Sequence, residues 1–199
     1  MARKQAADYD QRRAAIVQAA AALFAREGFK GASVADIAKR GKISKPLVYH
    51  YYKSKEAILY DVMISHVRAL EEAATEIMAT KDAPARKLKE LSHALMQLYV
   101  GAADRHKVLL NDLDFLPRAK RAEIVRVQRG LIDTVRRLLI ETEPALKKRH
   151  GAGFAAAMLY FGAINWTHTW YDPEGPVTPG ALAEMVVDLT LGGISKAAE

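Results

Sequence analysis

The sequence predicts an all-α protein in two parts, a three-helix unit with a helix-turn-helix over residues 1–55 and a larger helical unit over 56–199. Three observations predict it. Apolar residues recur at helical spacing along nearly the whole chain. Period-two alternation bounded by turn residues is missing. Capping and breaking residues punctuate the chain at helix-sized intervals, with no internal repeat or low-complexity segment.

Taken in order, Ile16, Ala20, Leu23 and Phe24 form the stripe of an amphipathic first helix, with Gly28 as its stop. Ser33 and Asp36 form a capping box, Asp standing in for Glu, and open a second helix that turns Val34, Ile37 and Ala38 inward. Gly41 breaks it. Ser44 caps a short third helix whose first turn tolerates Pro46, because the N–H that proline lacks would have no partner there. Ser54 caps a long fourth helix through Leu59, Val62, His66, Leu70 and Ile77. Asp82–Pro84 starts a fifth, Pro117 marks a boundary before another, and Pro144 ends or interrupts that one. A helix from about Gly153 to Tyr171 closes at "DPEGP", and the last begins after Thr178–Pro179.

Half of the residues are apolar, enough for a substantial core. Eighteen consecutive uncharged apolar residues occur nowhere, and "MARKQAADYDQRR" lacks the apolar middle of a secretory signal, so neither a membrane span nor export is expected. The chain has no cysteine, which suits a reducing cytoplasm and excludes thiol chemistry. Its six histidines include no pair at i, i+3 or i, i+4, so no metal site is expected. There is no phosphate-binding glycine loop, and "GAGF" is too short for a dinucleotide loop. No motif groups a nucleophile with a base, so no catalytic residues and no enzyme are expected.

The net charge of +7 is unevenly placed. Residues 1–55 carry twelve Lys/Arg against four Asp/Glu (+8), and the remainder carries eighteen against nineteen (−1). A basic excess confined to the first quarter is the footprint of a nucleic-acid contact. An architectural, sequence-blind DNA binder would spread that charge along the chain. Within the helix-turn-helix, Val48 and Tyr52 stand four apart and point to the small core, leaving Lys45, Leu47, Tyr49, His50 and Tyr51 outward on a rod narrow enough for a major groove. Lysine donates to guanine O6/N7, and leucine packs against a thymine methyl. Tyrosine hydroxyls, the N–H groups behind Ser44 and Pro46, and Lys55 suit phosphate oxygens.

From Arg12 to about Met63, "IVQAAAALFAREGFKGASVADIAKRGKISKPLVYHYYKSKEAIL" resembles the DNA-binding domain of the TetR family of bacterial transcriptional regulators. The resemblance rests on Ser33 before the second helix and on Tyr49, Tyr52 and Ser54–Glu56 in the Tyr-x-x-Phe, Ser-Lys-Glu pattern. Leu47 stands where a small hydroxyl residue is common, which is expected to alter base preference. Tyr52 replaces the usual Phe, a change expected to be without consequence. The resemblance implies a cytoplasmic homodimer on double-stranded operator DNA, a repressor whose two last helices build a four-helix bundle. Its C-terminal unit would then be a ligand-binding and dimerisation domain, whose occupied pocket moves the DNA heads apart. The stripe Leu182, Met185, Val186, Leu189 is apolar enough to serve as that interface.

"LYFGAINWTHTWYDPEGPVTPGALAEMVVDLTLGGI", with "HKVLLNDLDFLP", is similar to members that sense acyl-CoA thioesters of fatty-acid, sterol or phenylacetate breakdown. This implies no resident cofactor and an acyl-CoA effector. Residues 118–149 carry ten Lys/Arg against four Asp/Glu, which suits CoA phosphates as well as an ordinary solvated helix face. An apolar tunnel is expected along Met96, Tyr99, Leu110, Phe115, Trp166 and Trp170, with Asn165 and His168 as polar contacts. The tryptophans also suit a core or a dimer interface, and the two polar residues suit a structural role. A cationic-drug sensor governing efflux would call for buried acids, and few carboxylates here sit in apolar runs.

Overall fold

The computed structural model describes the backbone of residues 2–198 and the side chains of residues 9–194. The described residues form helices and connecting turns, without strands. The α-helices are α1 (Ala2–Gly31), α2 (Val34–Arg40), α3 (Lys45–Tyr51), α4 (Lys55–Ala79), α5 (Pro84–Gly101), α6 (Ala103–Asn111), α7 (Arg118–Thr142), α8 (Ala152–Trp166) and α9 (Pro179–Ala198). Short 3-10 turns cover Leu113–Phe115, Pro144–Lys148 and Thr167–Thr169. None of these helices is long and apolar enough to cross a membrane.

Two compact units result, one of Met1–His66 with Asp104–Ile124, the other of Val67–Ala103 with Val125–Glu199. The division does not follow the expected boundary at residue 55. The first half of α4 and the α6 segment pack with the N-terminal helices, because apolar faces and not chain order decide the grouping. Sequence reading had no separate α6, since the single residue Ala102 between α5 and α6 leaves no proline or glycine cluster to mark the break. The helix expected over 153–171 ends at Trp166 and finishes as a 3-10 turn.

In the first unit, Ile16, Ala20, Leu23 and Phe24 are buried as their spacing predicts, with Ile37, Val48, Ile58, Leu59 and Val62. Gly28 breaks α1 at φ 73°, ψ 162°, a conformation open to glycine, and one further turn follows. The turn after α2 differs from expectation in one respect. Gly41 keeps a right-handed φ of −75°, and Lys42 takes the left-handed position at φ 53°. Lys42 N–H donates to the Lys39 carbonyl at 3.2 Å and Ile43 N–H to the Ala38 carbonyl at 3.0 Å, the two bonds of a Schellman cap. Space at Gly41 is tight, since a Cβ there would sit 3.3 Å from the Ile37 carbonyl and 3.4 Å from the Ile43 side chain, which would have to give by a few tenths of an ångström.

The second unit is built around one core containing Leu88, Leu91, Leu95, Leu138, Leu139, Tyr160 and Ile164. α9 packs on both α5 and α8. Gly153 lets α8 approach α7, because a Cβ there would fall 2.6 Å from Ile140 Cδ1. Ser92 Oγ donates to the Leu88 carbonyl, so the buried Tyr160 hydroxyl donates to Ser92 Oγ at 2.7 Å.

Candidate functional site

The helix-turn-helix is set by its caps. Ser33 Oγ accepts from Asp36 N–H at 3.1 Å, and Asp36 Oδ2 accepts from Ser33 N–H at 3.2 Å. The Ser33 bonds hold the Asp36 carboxyl below the usual carboxylate range. Ser44 Oγ accepts from Leu47 N–H at 3.3 Å, so the first turn of α3, with Pro46 in it, forms without losing a donor. Both serines are thus cap residues whose side chains already hold backbone N–H groups. Val48 is fully buried and Tyr52 nearly so, which anchors α3 by one side. Lys45, Pro46, Tyr49 and His50 are exposed, Tyr49 at 50%, and Leu47 is half-buried. Lys39, Arg40, Lys42 and Lys53 are exposed nearby in the chain, giving a basic surface around a helix of one buried face.

Three placements depart from expectation. Tyr51 is half-buried, its ring 4.6 Å from that of Tyr9 on α1, so part of its surface is spent on bracing α3 against α1. Lys55 is committed elsewhere: its Nζ donates to the Phe29 carbonyl at 2.7 Å and the Ala32 carbonyl at 2.8 Å, and lies 4.3 Å from the Phe29 ring centroid. The ammonium therefore ties down the turn of α1 that follows the Gly28 break, with two of its three donors spent. Tyr52 is not equivalent to Phe. Its hydroxyl donates to Asp61 Oδ2, and Arg13 clasps the same carboxylate through Nε at 2.9 Å and Nη2 at 2.6 Å. Burial and the neighbouring carboxylate push the Tyr52 phenol up.

That clasp joins α1, the end of α3 and α4, and sequence reading missed it. The available signal was Asp61 within the apolar run "ILYDVMI", where a buried charge needs a partner. A second missed linkage holds the 104–124 segment to the end of α1. Phe115 stacks on Phe29 with centroids 5.2 Å apart, Lys30 Nζ lies 5.3 Å from the Phe115 ring centroid, and the buried Asp112 accepts from Phe29 N–H. Beside it, His66 Nε2 and His106 Nδ1 lie 3.2 Å apart, and burial, with Arg105 nearby, lowers the His66 pKa to about 4.

The expected tunnel does not assemble in the second unit. Met96 and Tyr99 are buried there, and Met96 Sδ lies 4.0 Å from the Thr167 hydroxyl. Leu110 and Phe115 belong to the first unit. Trp166 is 63% and Trp170 57% exposed, so neither ring lines an interior space of this chain. His168 Nδ1–H donates to the Asn165 carbonyl at 2.8 Å, while Asn165 Oδ1 is buried without a hydrogen-bond partner. The expected dimer stripe divides in the same way. Leu182 and Val186 are buried in the unit's own core, and Met185 and Leu189 are exposed at 52% and 74%. At helical spacing, 182/186 and 185/189 stand on neighbouring strips, and only the second strip faces outward.

Eight of the ten large apolar side chains exposed among the described residues fall between Phe154 and Leu189. They lie on α8, on α9 and in the segment between them.

Residues 16–62 match the family described as bacterial regulatory proteins, tetR family, and residues 81–194 match the tetracyclin repressor-like C-terminal domain. The chain belongs to the TetR family of bacterial transcriptional regulators. Among solved structures, a TetR-family regulator from Bordetella parapertussis 12822 shares 38% identity, with a TM-score of 0.87 over 92% of this chain and 96% of that one. AibR, in complex with isovaleryl coenzyme A and operator DNA, shares the fold at a TM-score of 0.78, with 22% identity over 89% of this chain and 97% of that one. The transcriptional repressor KstR2 of Mycolicibacterium smegmatis is 26% identical, covering 93% of this chain and 91% of its own. As in this family, the helix-turn-helix within residues 16–62 is the DNA-binding part.

Proposed function

We propose that the chain is a homodimeric repressor that binds a palindromic operator through α3 and leaves it when an acyl-CoA thioester binds the C-terminal unit. The observation that carries this is the concentration of exposed apolar side chains on α8, α9 and the segment between them. A second copy is the occupant that satisfies it, because two seven-residue recognition helices reading two half-sites need to be held at one spacing. In that dimer Lys45 and Leu47 address bases, and Tyr49, His50 and the first-turn N–H groups of α3 address phosphates. The thioester is supported by the fold shared with AibR and its isovaleryl coenzyme A, and by the basic balance of residues 118–149.

Operator selection from random duplexes tests the first half. Expected is a palindrome with half-site centres roughly 34–36 Å or a multiple apart, bound in a strongly salt-dependent way. Lys45→Ala or Leu47→Ala is expected to relax specificity at one position by about 1–3 kcal/mol. Equal affinity for scrambled duplexes would refute sequence-specific regulation. For the second half, operator-bound protein is titrated with short-chain, long-chain and aromatic acyl-CoAs. A release by one class, with operator DNA weakening that ligand's binding by the same factor, is the expected result.

A further inference from the structure

Three aromatic rings connect the start of α1 to the exposed face of α3. Tyr9 lies almost two turns ahead of Ile16, the first buried residue of α1 among the described side chains, and every residue from Tyr9 to Ala14 is exposed. The Tyr9 side chain is 46% exposed, so it fills no core. What it meets is Tyr51, the last residue of α3, at a centroid distance of 4.6 Å and an interplanar angle of 36°. Tyr51 in turn meets His50 edge to face, at 5.5 Å and 85°. Both distances lie in the range over which aromatic rings attract one another.

His50 is exposed, as are Lys45, Pro46 and Tyr49 of the same helix. It stands in the last turn of a seven-residue helix, where helix ends fray. Buried Val48 anchors the turn before, and the Tyr52 hydroxyl is tied to Asp61. Neither anchor acts on an outward side chain. Among the described residues, the ring that steadies His50 is Tyr51, and the ring that steadies Tyr51 is Tyr9. A side chain immobilised only on binding lowers affinity, and one already held does not. We propose that Tyr9, outside the helix-turn-helix, is a positioning residue for operator recognition: through Tyr51 it holds the His50 ring, so that His50 meets the duplex already ordered. The inference rests on the reading of α3 as the operator-binding helix. It adds to that reading a residue of α1 that acts without touching DNA.

Two measurements on the full chain test this. The first is made without DNA. The imidazole C–H resonance of His50, identified as the one lost in His50→Gln, carries a ring-current shift from Tyr51. In Tyr9→Ala it is expected to move toward the position of a free histidine. In Tyr9→Phe it is expected to stay, because the ring and not the hydroxyl does the holding. The resonances of buried His66 and His106 check that the first unit remains folded, and are expected to stay in both variants. The second measurement is affinity for the selected operator. Tyr9→Ala is expected to weaken binding about two- to tenfold, the cost of ordering one side chain on the duplex. Tyr9→Phe is expected to bind like the wild type. In a His50→Ala background, Tyr9→Ala is expected to cost almost nothing further. An unmoved His50 resonance in Tyr9→Ala would overturn the proposal, since the ring would then be fixed without Tyr9. An equal loss of affinity in the His50→Ala background would overturn it too, by making Tyr9 act independently of His50. Tyr9→Phe as weak as Tyr9→Ala would do the same, by making the hydroxyl itself the contact. A wild type without a preferred operator would overturn the reading of α3 and the proposal with it. Failure of the resonance test with specific binding intact would overturn the proposal alone.

Discussion

α3 and α8 make a useful pair. α3 is seven residues long, polar on most sides, and held by one fully buried residue, Val48, so its outward face follows from its inward one. α8 is fifteen residues of "AGFAAAMLYFGAINW", apolar on every side, and periodicity alone cannot say which side is core. The structure turns Ala156, Ala157, Tyr160 and Ile164 inward and Met158, Leu159 and Trp166 outward. A helix with one apolar stripe declares its orientation. A helix apolar all round is covered on two sides, and the sequence does not say by what.

The sharpest test uses α9, where two of the four residues expected at the interface, Leu182 and Val186, are buried in the unit's own core. Val186→Asp is expected to prevent folding or to cost about 3–5 kcal/mol, since it places an unpaired charge in the buried core to which Val186 belongs. Leu189→Asp with Met185→Asp, three and one residues away, is expected to leave thermal stability within about 1 kcal/mol per site, as at other exposed positions. The pair would nonetheless yield monomers by sedimentation, with operator affinity reduced by a hundredfold or more once two heads no longer act together. A folded Val186→Asp dimer would show that α9 lies the other way round.

How much was legible follows from the same contrast. Caps, breakers and one-sided stripes fixed the start of α2 and α3 and the inward set Ile37, Ala38 and Val48, because each depends on residues within one or two turns. The basic surface was legible as well, charge being countable. The Arg13–Asp61 pair spans 48 residues and the Phe29–Phe115 stack spans 86, and no local pattern joins such partners. The tunnel was not legible for a related reason: its six residues were chosen by type from three helices and two turns, and they fall in two units, with Trp166 and Trp170 exposed.

A smaller effect is expected where α3 departs from its own simplicity. Asp61→Ala leaves the Tyr52 hydroxyl and the Arg13 guanidinium without their shared acceptor and is expected to cost about 2–3 kcal/mol. Tyr52→Phe removes one donor, which Arg13 still compensates, and is expected to cost about 1 kcal/mol. In the double variant the two costs should not add, because the partners share one carboxylate. Additive costs in a double-mutant cycle would show that the hydroxyl acts independently of the clasp, and Tyr52 would then be the Phe equivalent its position suggests.

The smallest effect is expected at Lys42, and its sign is what matters. The residue holds φ 53° to complete the cap that joins α2 to α3. A left-handed conformation costs a residue with a Cβ about 1–2 kcal/mol, and glycine avoids that cost. Glycine also makes the unfolded chain freer, which returns part of the gain, so Lys42→Gly is expected to stabilise by about 0.5–1 kcal/mol. For a chain of this size that is about 2–4 °C of melting temperature for each kcal/mol. The substitution also deletes one exposed positive charge from the turn before α3. If Lys42 meets a phosphate, operator affinity falls alike for all sequences and the logarithmic salt slope drops by about one. A variant that is more stable yet binds DNA less tightly would show lysine retained there for charge at the expense of backbone comfort. Unchanged DNA binding with higher stability would place the turn clear of the duplex, leaving the contact to α3 and its flanking residues.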